Sequence, residues 1–169
     1  FEGMWQSQGC PELPAAAALM NASVRAPAQA GERIVKLLAT DPSDEQNKIY
    51  NAMLAAIQAS RRSVHLTMAY FVPGNEMIGA LCDAARRDVD VVLILPGTSD
   101  FQLVLHAGRS YYGQLLAAGV AIHEMEHAVL HAKTAVIDGV FSTVGSSNMD
   151  WRSFADNSEL NAIVLGEEF

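Results

Sequence analysis

The sequence predicts an α/β domain, a mixed β-sheet flanked by helices, and three observations lead there. Short apolar runs of strand length alternate with helical patterns of about a dozen residues. Pro-Gly pairs at 73–74 and 96–97 punctuate the strand ends. An Asp-Gly pair at 138–139 sits between two apolar runs, the signal of a tight antiparallel hairpin in a chain whose other strands are separated by helices.

Taken in order, residues 1–32 read as a connector: aromatics without a clean period, then an Ala-rich tract broken by Pro27 and Gly31. The globular part is expected over 33–169. "RIVKLLA" (33–39) is a strand, and Ser43 with Gln46 three residues later resembles a capping box opening a helix over about 44–60. Ile49, Met53, Ala56 and Ile57 have the spacing of its buried face. "SVHLTMAYF" (63–71) is a strand and 75–87 a helix. "VDVVLIL" (89–95) is a strand expected to be buried on both faces. A helix near 108–118 ends at Gly119, "VAIHEM" is a further strand, and "ELNAIVL" (159–165) follows the hairpin as the last one.

The chain has 169 residues, enough for one cored domain and marginal for two. Its formal charge of −8 counts against a nucleic-acid partner, because phosphate contacts need a basic surface. Cys10 and Cys82 form neither a disulfide framework nor a metal-ligand spacing, and Cys82 is expected to be a small buried residue. No apolar run approaches the ~20 residues needed to cross a bilayer. The start at Phe1 reads as part of a longer protein.

The hairpin carries the chemistry. With a two-residue loop, His131 faces Ser146 and Lys133 faces Val144; with a four-residue loop, His131 faces Asn148 and Lys133 faces Ser146. Either register puts His131, Lys133, Ser146 and Asn148 on one face. Imidazole, ammonium, hydroxyl and carboxamide together suit a phosphodiester. Lysine offsets the charge of the non-bridging oxygens, Ser and Asn add directed hydrogen bonds, and histidine attacks phosphorus or passes a proton near neutral pH. Gly145 would let the backbone approach the ligand. Glu159, an acid on an apolar strand, is the candidate to fix the second ring nitrogen of His131.

Other polar residues have ordinary explanations. The turn accounts for Asp138, and no nucleophile elbow surrounds Ser147. His65, His123 and His127 lack partners at useful spacing, and the strand-like "VAIHEM" argues against a metal pair at 123 and 127. Neither metal nor organic cofactor is expected.

The pattern His131-x-Lys133, four residues, Asp138, six residues, Gly145-Ser146-x-Asn148 resembles the HKD motif of the phospholipase D superfamily at every fixed position. With "AYFVPGNEMIGALCDAARRDVDVVLILPG", "RSYYGQLLAAGVAIHEM" and "GSSNMDWRSFADNSELN", residues 33–165 resemble the second half of bacterial cardiolipin synthases. Ala69 departs from the frequent proline of that pattern, and Thr98 stands where a basic residue is common.

The resemblance implies a phospholipase D-like lobe with one HKD motif, working opposite a second lobe from an upstream half or a homodimer mate. It implies phosphatidyl transfer from phosphatidylglycerol to a lipid alcohol through a phosphohistidine, at a bacterial membrane surface. His131 and Lys133 map onto the motif histidine and lysine, Ser146 and Asn148 onto the phosphate-binding pair, and Glu159 onto the supporting acid. Asp138 maps onto the structural aspartate. In a second lobe His131 is expected to be the acid/base partner. The alternatives are a homodimeric HKD phosphodiesterase or nuclease, or a phospholipase D hydrolase.

Overall fold

The structure, a computed structural model, describes residues 34–44, 46–126 and 129–166. The expected connector, with Cys10, lies outside the described residues, as does His127.

Seven strands form one sheet: β1 (Ile34–Thr40), β2 (Ser63–Met68), β4 (Asp90–Pro96), β5 (Ala121–Met125), β6 (Lys133–Ile137), β7 (Phe141–Gly145) and β9 (Glu159–Leu165), in the order β1-β9-β7-β6-β2-β4-β5. The β2-β4-β5 half is parallel, and every pair from β2 through β6, β7 and β9 to β1 is antiparallel. The sheet is therefore mixed, as the sequence predicts. Two short strands, β3 (Phe71–Val72) and β8 (Met149–Asp150), pair in parallel apart from it. The helices are α1 (Lys48–Ala59), α2 (Asn75–Arg86), α3 (Gln102–Arg109), α4 (Tyr112–Ala117) and α5 (Trp151–Ala155).

One face of the sheet carries the core. Val64, Leu66, Leu93, Ala135 and Ile137 meet Met53 and Ile57 of α1, Met77, Ile78 and Leu81 of α2, and Leu115 of α4. Cys82 is buried there as a small apolar residue. The expectation that β4 is buried on both faces fails: Val91, Leu93 and Leu95 are buried, but Ile94 on the opposite face is 36 % exposed. The run is uniformly apolar, so its composition hides an alternation that only the placement of the helices reveals.

Three further expectations need correction. Ser43 does not cap α1; its hydroxyl turns back to Asp41 Oδ1 at 2.7 Å. The cap is Asn47, whose Oδ1 accepts from the Tyr50 N–H at 2.7 Å while its Nδ2 donates to the Phe154 carbonyl at 2.9 Å. The helix expected near 108–118 is two helices, broken where the Ser110 hydroxyl donates to the Ala107 carbonyl at 2.6 Å. The strand expected over 63–71 stops at Met68, and Phe71 belongs to β3.

Asp138 holds the hairpin to the rest of the sheet. Its carboxylate accepts backbone N–H bonds from Arg61, Arg62 and Ser63 at 2.8–2.9 Å. Burial alone would push its pKa up; the three N–H donors, with the Arg62 charge, outweigh burial and hold it below the ordinary value. A folded-state pKa below the unfolded one stabilises the fold at pH values above ~4, and that stability is lost as pH falls through the folded value. Asp138→Ala should cost about 2 kcal/mol in urea unfolding. Asp138→Asn should flatten the acid side of the stability profile.

Candidate functional site

β6 runs antiparallel to β2, so its N-terminal end meets the carboxyl ends of β2 and β4, where open α/β sheets commonly place ligands. His131 lies two residues before β6 proper and is exposed, whereas Lys133, the first residue of β6, is 8 % exposed. Lys133 Nζ donates to the His131 carbonyl at 3.0 Å, which ties the backbone of the histidine to the ammonium of the lysine.

The Asp-Gly turn forms as predicted: Asp138 and Gly139 have φ of 55° and 70°, and the Val140 N–H donates to the Ile137 carbonyl at 3.1 Å. The register does not follow. Ile137 pairs with Phe141, so Val140 is an extra residue and the loop is neither of the two lengths expected. The Val140 carbonyl accepts from the Gly166 N–H at 2.9 Å, beyond the end of β9. A one-residue shift reverses facing, and extending the pairing sets Lys133 across from Gly145. Strict alternation would then put Ser146 on the wrong side. That alternation does not extend to it, because β7 ends at Gly145 and the chain bends at Ser146.

That bend brings Ser146 to Glu159. The Ser146 hydroxyl donates to Glu159 Oε2 and accepts from the Leu160 N–H at 3.0 Å. Asn157 Nδ2 reaches Glu159 Oε1 at 3.4 Å. Glu159 is thus partnered by Ser146 and Asn157, and among the described residues no hydrogen bond joins it to His131. Its charge, with that of Asp150, favours the Lys133 ammonium, but burial dominates and holds the lysine pKa below its usual value.

Asn148 donates its backbone N–H to Ser153 Oγ at 3.1 Å, while its carboxamide oxygen is buried with no hydrogen-bond partner among the described residues. Gly145 has an internal reason to be glycine: a Cβ there would collide with Asn161 Oδ1 and the Leu160 carbonyl. Asn161 is held in turn by the Ser147 N–H at 3.2 Å and by Thr143 Oγ1 at 3.1 Å. Gly145→Ala should therefore cost about 1–3 kcal/mol in denaturant unfolding.

Acids and a phenol that sequence reasoning passed over complete the site. The Tyr70 hydroxyl donates to Asp100 Oδ1 at 2.8 Å. That bond, foremost, keeps the Asp100 carboxyl below its usual pKa, and the His131 charge acts in the same direction. The same bond, followed by burial and the charges of Asp100 and Asp150, raises the Tyr70 pKa. Asp150 caps α5, accepting from the Ser153 N–H at 2.8 Å. Its signal was legible as an Asp three residues before Ser153, and Asp100 follows the carboxyl end of a parallel strand. His65, expected without a partner, meets Asp90 Oδ2 at 3.0 Å. Among the described residues no group of three or more His, Cys, Asp or Glu side chains is arranged to hold a metal ion.

Comparison with known proteins identifies the family and the fold. The family model described as cardiolipin synthase, PLD-like domain, matches residues 53–169. Cardiolipin synthase A of Cronobacter sakazakii is 38 % identical over 136 residues, 80 % of this chain and 28 % of the relative. The chain thus spans little more than a quarter of that protein's length. Among solved structures, a phospholipase D family member, Nuc from Salmonella typhimurium, has a TM-score of 0.66 at 20 % identity, covering 80 % of this chain and 85 % of that one. NucT from Helicobacter pylori has a TM-score of 0.65 at 19 % identity, covering 81 % and 88 %. These two likenesses concern the fold.

Proposed function

This chain belongs to the cardiolipin synthase PLD-like domain family, and from that premise we propose that it is one lobe of a phosphatidyltransferase. It moves a phosphatidyl group from phosphatidylglycerol to a lipid alcohol. The observation that carries the reading is a buried Lys133 whose ammonium is tied to the backbone of His131 at the spacing of the HKD motif.

Each group has a task. Lys133 keeps a positive charge in a largely dry position, where it acts on a phosphate oxygen more strongly than it would in water. The Asn148 carboxamide oxygen is buried without a partner at a cost of about 1–3 kcal/mol, which a donating hydroxyl of the substrate offsets. Glu159 fixes Ser146 while balancing Lys133.

The reaction proceeds by two in-line displacements. An imidazole nitrogen bonds to phosphorus as the bond to the glycerol oxygen breaks. An imidazolium on the opposite side gives its proton to the leaving alkoxide. That second imidazole then takes the proton of the incoming lipid alcohol, whose oxygen displaces the phosphohistidine nitrogen. One strand end cannot reach both sides of a phosphorus atom, so the reaction requires a second HKD lobe. His131 serves as the acid/base partner, and the nucleophile comes from that other lobe.

A diacyl substrate brings the protein to a membrane surface; among the described residues no helix is long and apolar enough to cross one. The test uses the full-length protein with phosphatidylglycerol vesicles. Cardiolipin and glycerol released in equal amounts support the reading. Phosphatidic acid alone would make the protein a hydrolase, and metal-independent nicking of plasmid DNA at low salt without lipid transfer would make it a nuclease.

A further inference from the structure

Beside the phosphate site lies an apolar groove that the transfer chemistry leaves unused. Val72 of β3, Phe101 and Leu103 at the start of α3, Ala107 one turn later, and Trp151 and Arg152 of α5 line a hollow of about 260 Å³. Trp151 and Val72 also border a second hollow of about 490 Å³ on their other side. Leu103 is 73 % exposed, Trp151 58 % and Phe101 45 %, so three large apolar side chains stand in the open within one small area. Clustering of this kind marks a binding surface rather than scattered exposure.

The groove adjoins the surroundings of the phosphate site through Asp150, which lines it, and through Asp100, the neighbour of Phe101. Trp151 follows Asp150, which also lines the groove and lies close enough to Lys133 and Tyr70 to act on their charges. Phe101 follows Asp100, which holds the Tyr70 hydroxyl and faces His131. β3 ties the walls together: it aligns Val72 with Asp150 of β8, and α3 packs so close to it that a Cβ at Gly108 would collide with the Phe71 carbonyl. Arg152 stands at the lip with its guanidinium 6.0 Å from the Trp151 ring. An aromatic ring with a cation beside it suits the boundary between hydrocarbon and anionic headgroups.

We infer that this groove holds an acyl chain of the phospholipid whose phosphate is bound at Lys133, with Trp151 and Arg152 at the lipid–water boundary. The inference rests on the transferase reading for the identity of the phosphate. It adds a specificity element: the chain, not only the headgroup, contributes to recognition. Free hydrocarbon in a bilayer gains little from moving into an equally apolar groove, so the benefit lies in alignment. A seated chain holds phosphorus at the strand ends while the headgroup alcohol leaves.

Two measurements on the full-length protein test it. Ala107→Phe fills the groove from its floor, and Leu103→Glu charges its mouth. Each should lower the ratio of kcat/KM for dioleoyl- over dihexanoyl-phosphatidylglycerol by about tenfold, through lost alignment of the reacting phosphorus. An unchanged ratio overturns the inference, including the case in which both substrates slow together because the groove packs against another lobe. With every tryptophan of the full-length protein other than Trp151 replaced by phenylalanine, Trp5 included, vesicles of phosphatidylglycerol brominated along its acyl chains should quench Trp151 emission, and Ala107→Phe should weaken that quenching. No quenching overturns the groove even if transfer proceeds. Quenching without any transfer keeps the groove and sinks the transferase reading, so the two failures are distinguishable.

Discussion

Replacing His131 by asparagine in the full-length protein lowers phosphatidyl transfer by about 10²–10⁴-fold, the range contributed by a positioned proton donor. The side chain is exposed and makes no side-chain hydrogen bond among the described residues, so the substitution leaves the fold intact. Rate and stability should therefore separate: transfer collapses while the urea midpoint stays within error of wild type. A chemical signature accompanies the loss. If His131 is the acid/base partner, a donor with a good leaving group such as p-nitrophenol needs no proton from the enzyme. The variant should recover most of its first-step rate on such a donor. Equal losses on both donors would reassign His131 to nucleophilic attack.

Lys133→Met has the second largest effect, a loss of about 10²–10³-fold in kcat, as expected when a preorganised partner of the transition-state charge is removed. Methionine keeps the length and packing of the side chain. Here too activity and stability part ways. Burial holds the folded-state pKa of Lys133 below the unfolded one, despite the favourable charges of Glu159 and Asp150. For a base this means the ammonium opposes folding at all pH values below its folded-state pKa, and wild-type stability rises as pH climbs from that value toward ~10.4. Removing the charge should leave stability unchanged or raise it at pH 7, and should erase the alkaline rise. Calorimetric melts at pH 7 and pH 10 check both. A clear fall in Tm at pH 7 would mean that the lysine is there for structure.

The hairpin shows what a sequence can and cannot reveal. Asp138-Gly139 announces two residues at positive φ because local sterics alone decide it, and both adopt that conformation. The extra Val140 was not legible, since its carbonyl is met by Gly166, 26 positions along the chain. The cap of α1 failed for the same reason. Ser43 and Gln46 have the right spacing, but Asn47 caps the helix and also reaches Phe154, which no local window contains. Residue types at fixed spacing are legible in a sequence, as with His131, Lys133, Ser146 and Asn148. Contacts were not. Glu159 was read as the support of His131 and lies against Ser146 instead, because a bend at Ser146 carries the hydroxyl across. Tyr70 and Asp100 come from two loops and Asp150 from β8, and only the fold assembles them.

The account stands or falls on whether phosphorus passes through a histidine of the second lobe while His131 and Lys133 act from this one. The most direct measurement is rapid quenching of the full-length protein with phosphatidylglycerol in the absence of acceptor, followed by mass spectrometry of its peptides. A phosphatidyl adduct on a histidine, stable to base and lost in acid, that accumulates faster than glycerol exchange and fails to form with Lys133→Met, is the predicted result. Transfer that continues with every histidine unmodified, or an adduct on a serine or carboxylate, would contradict it.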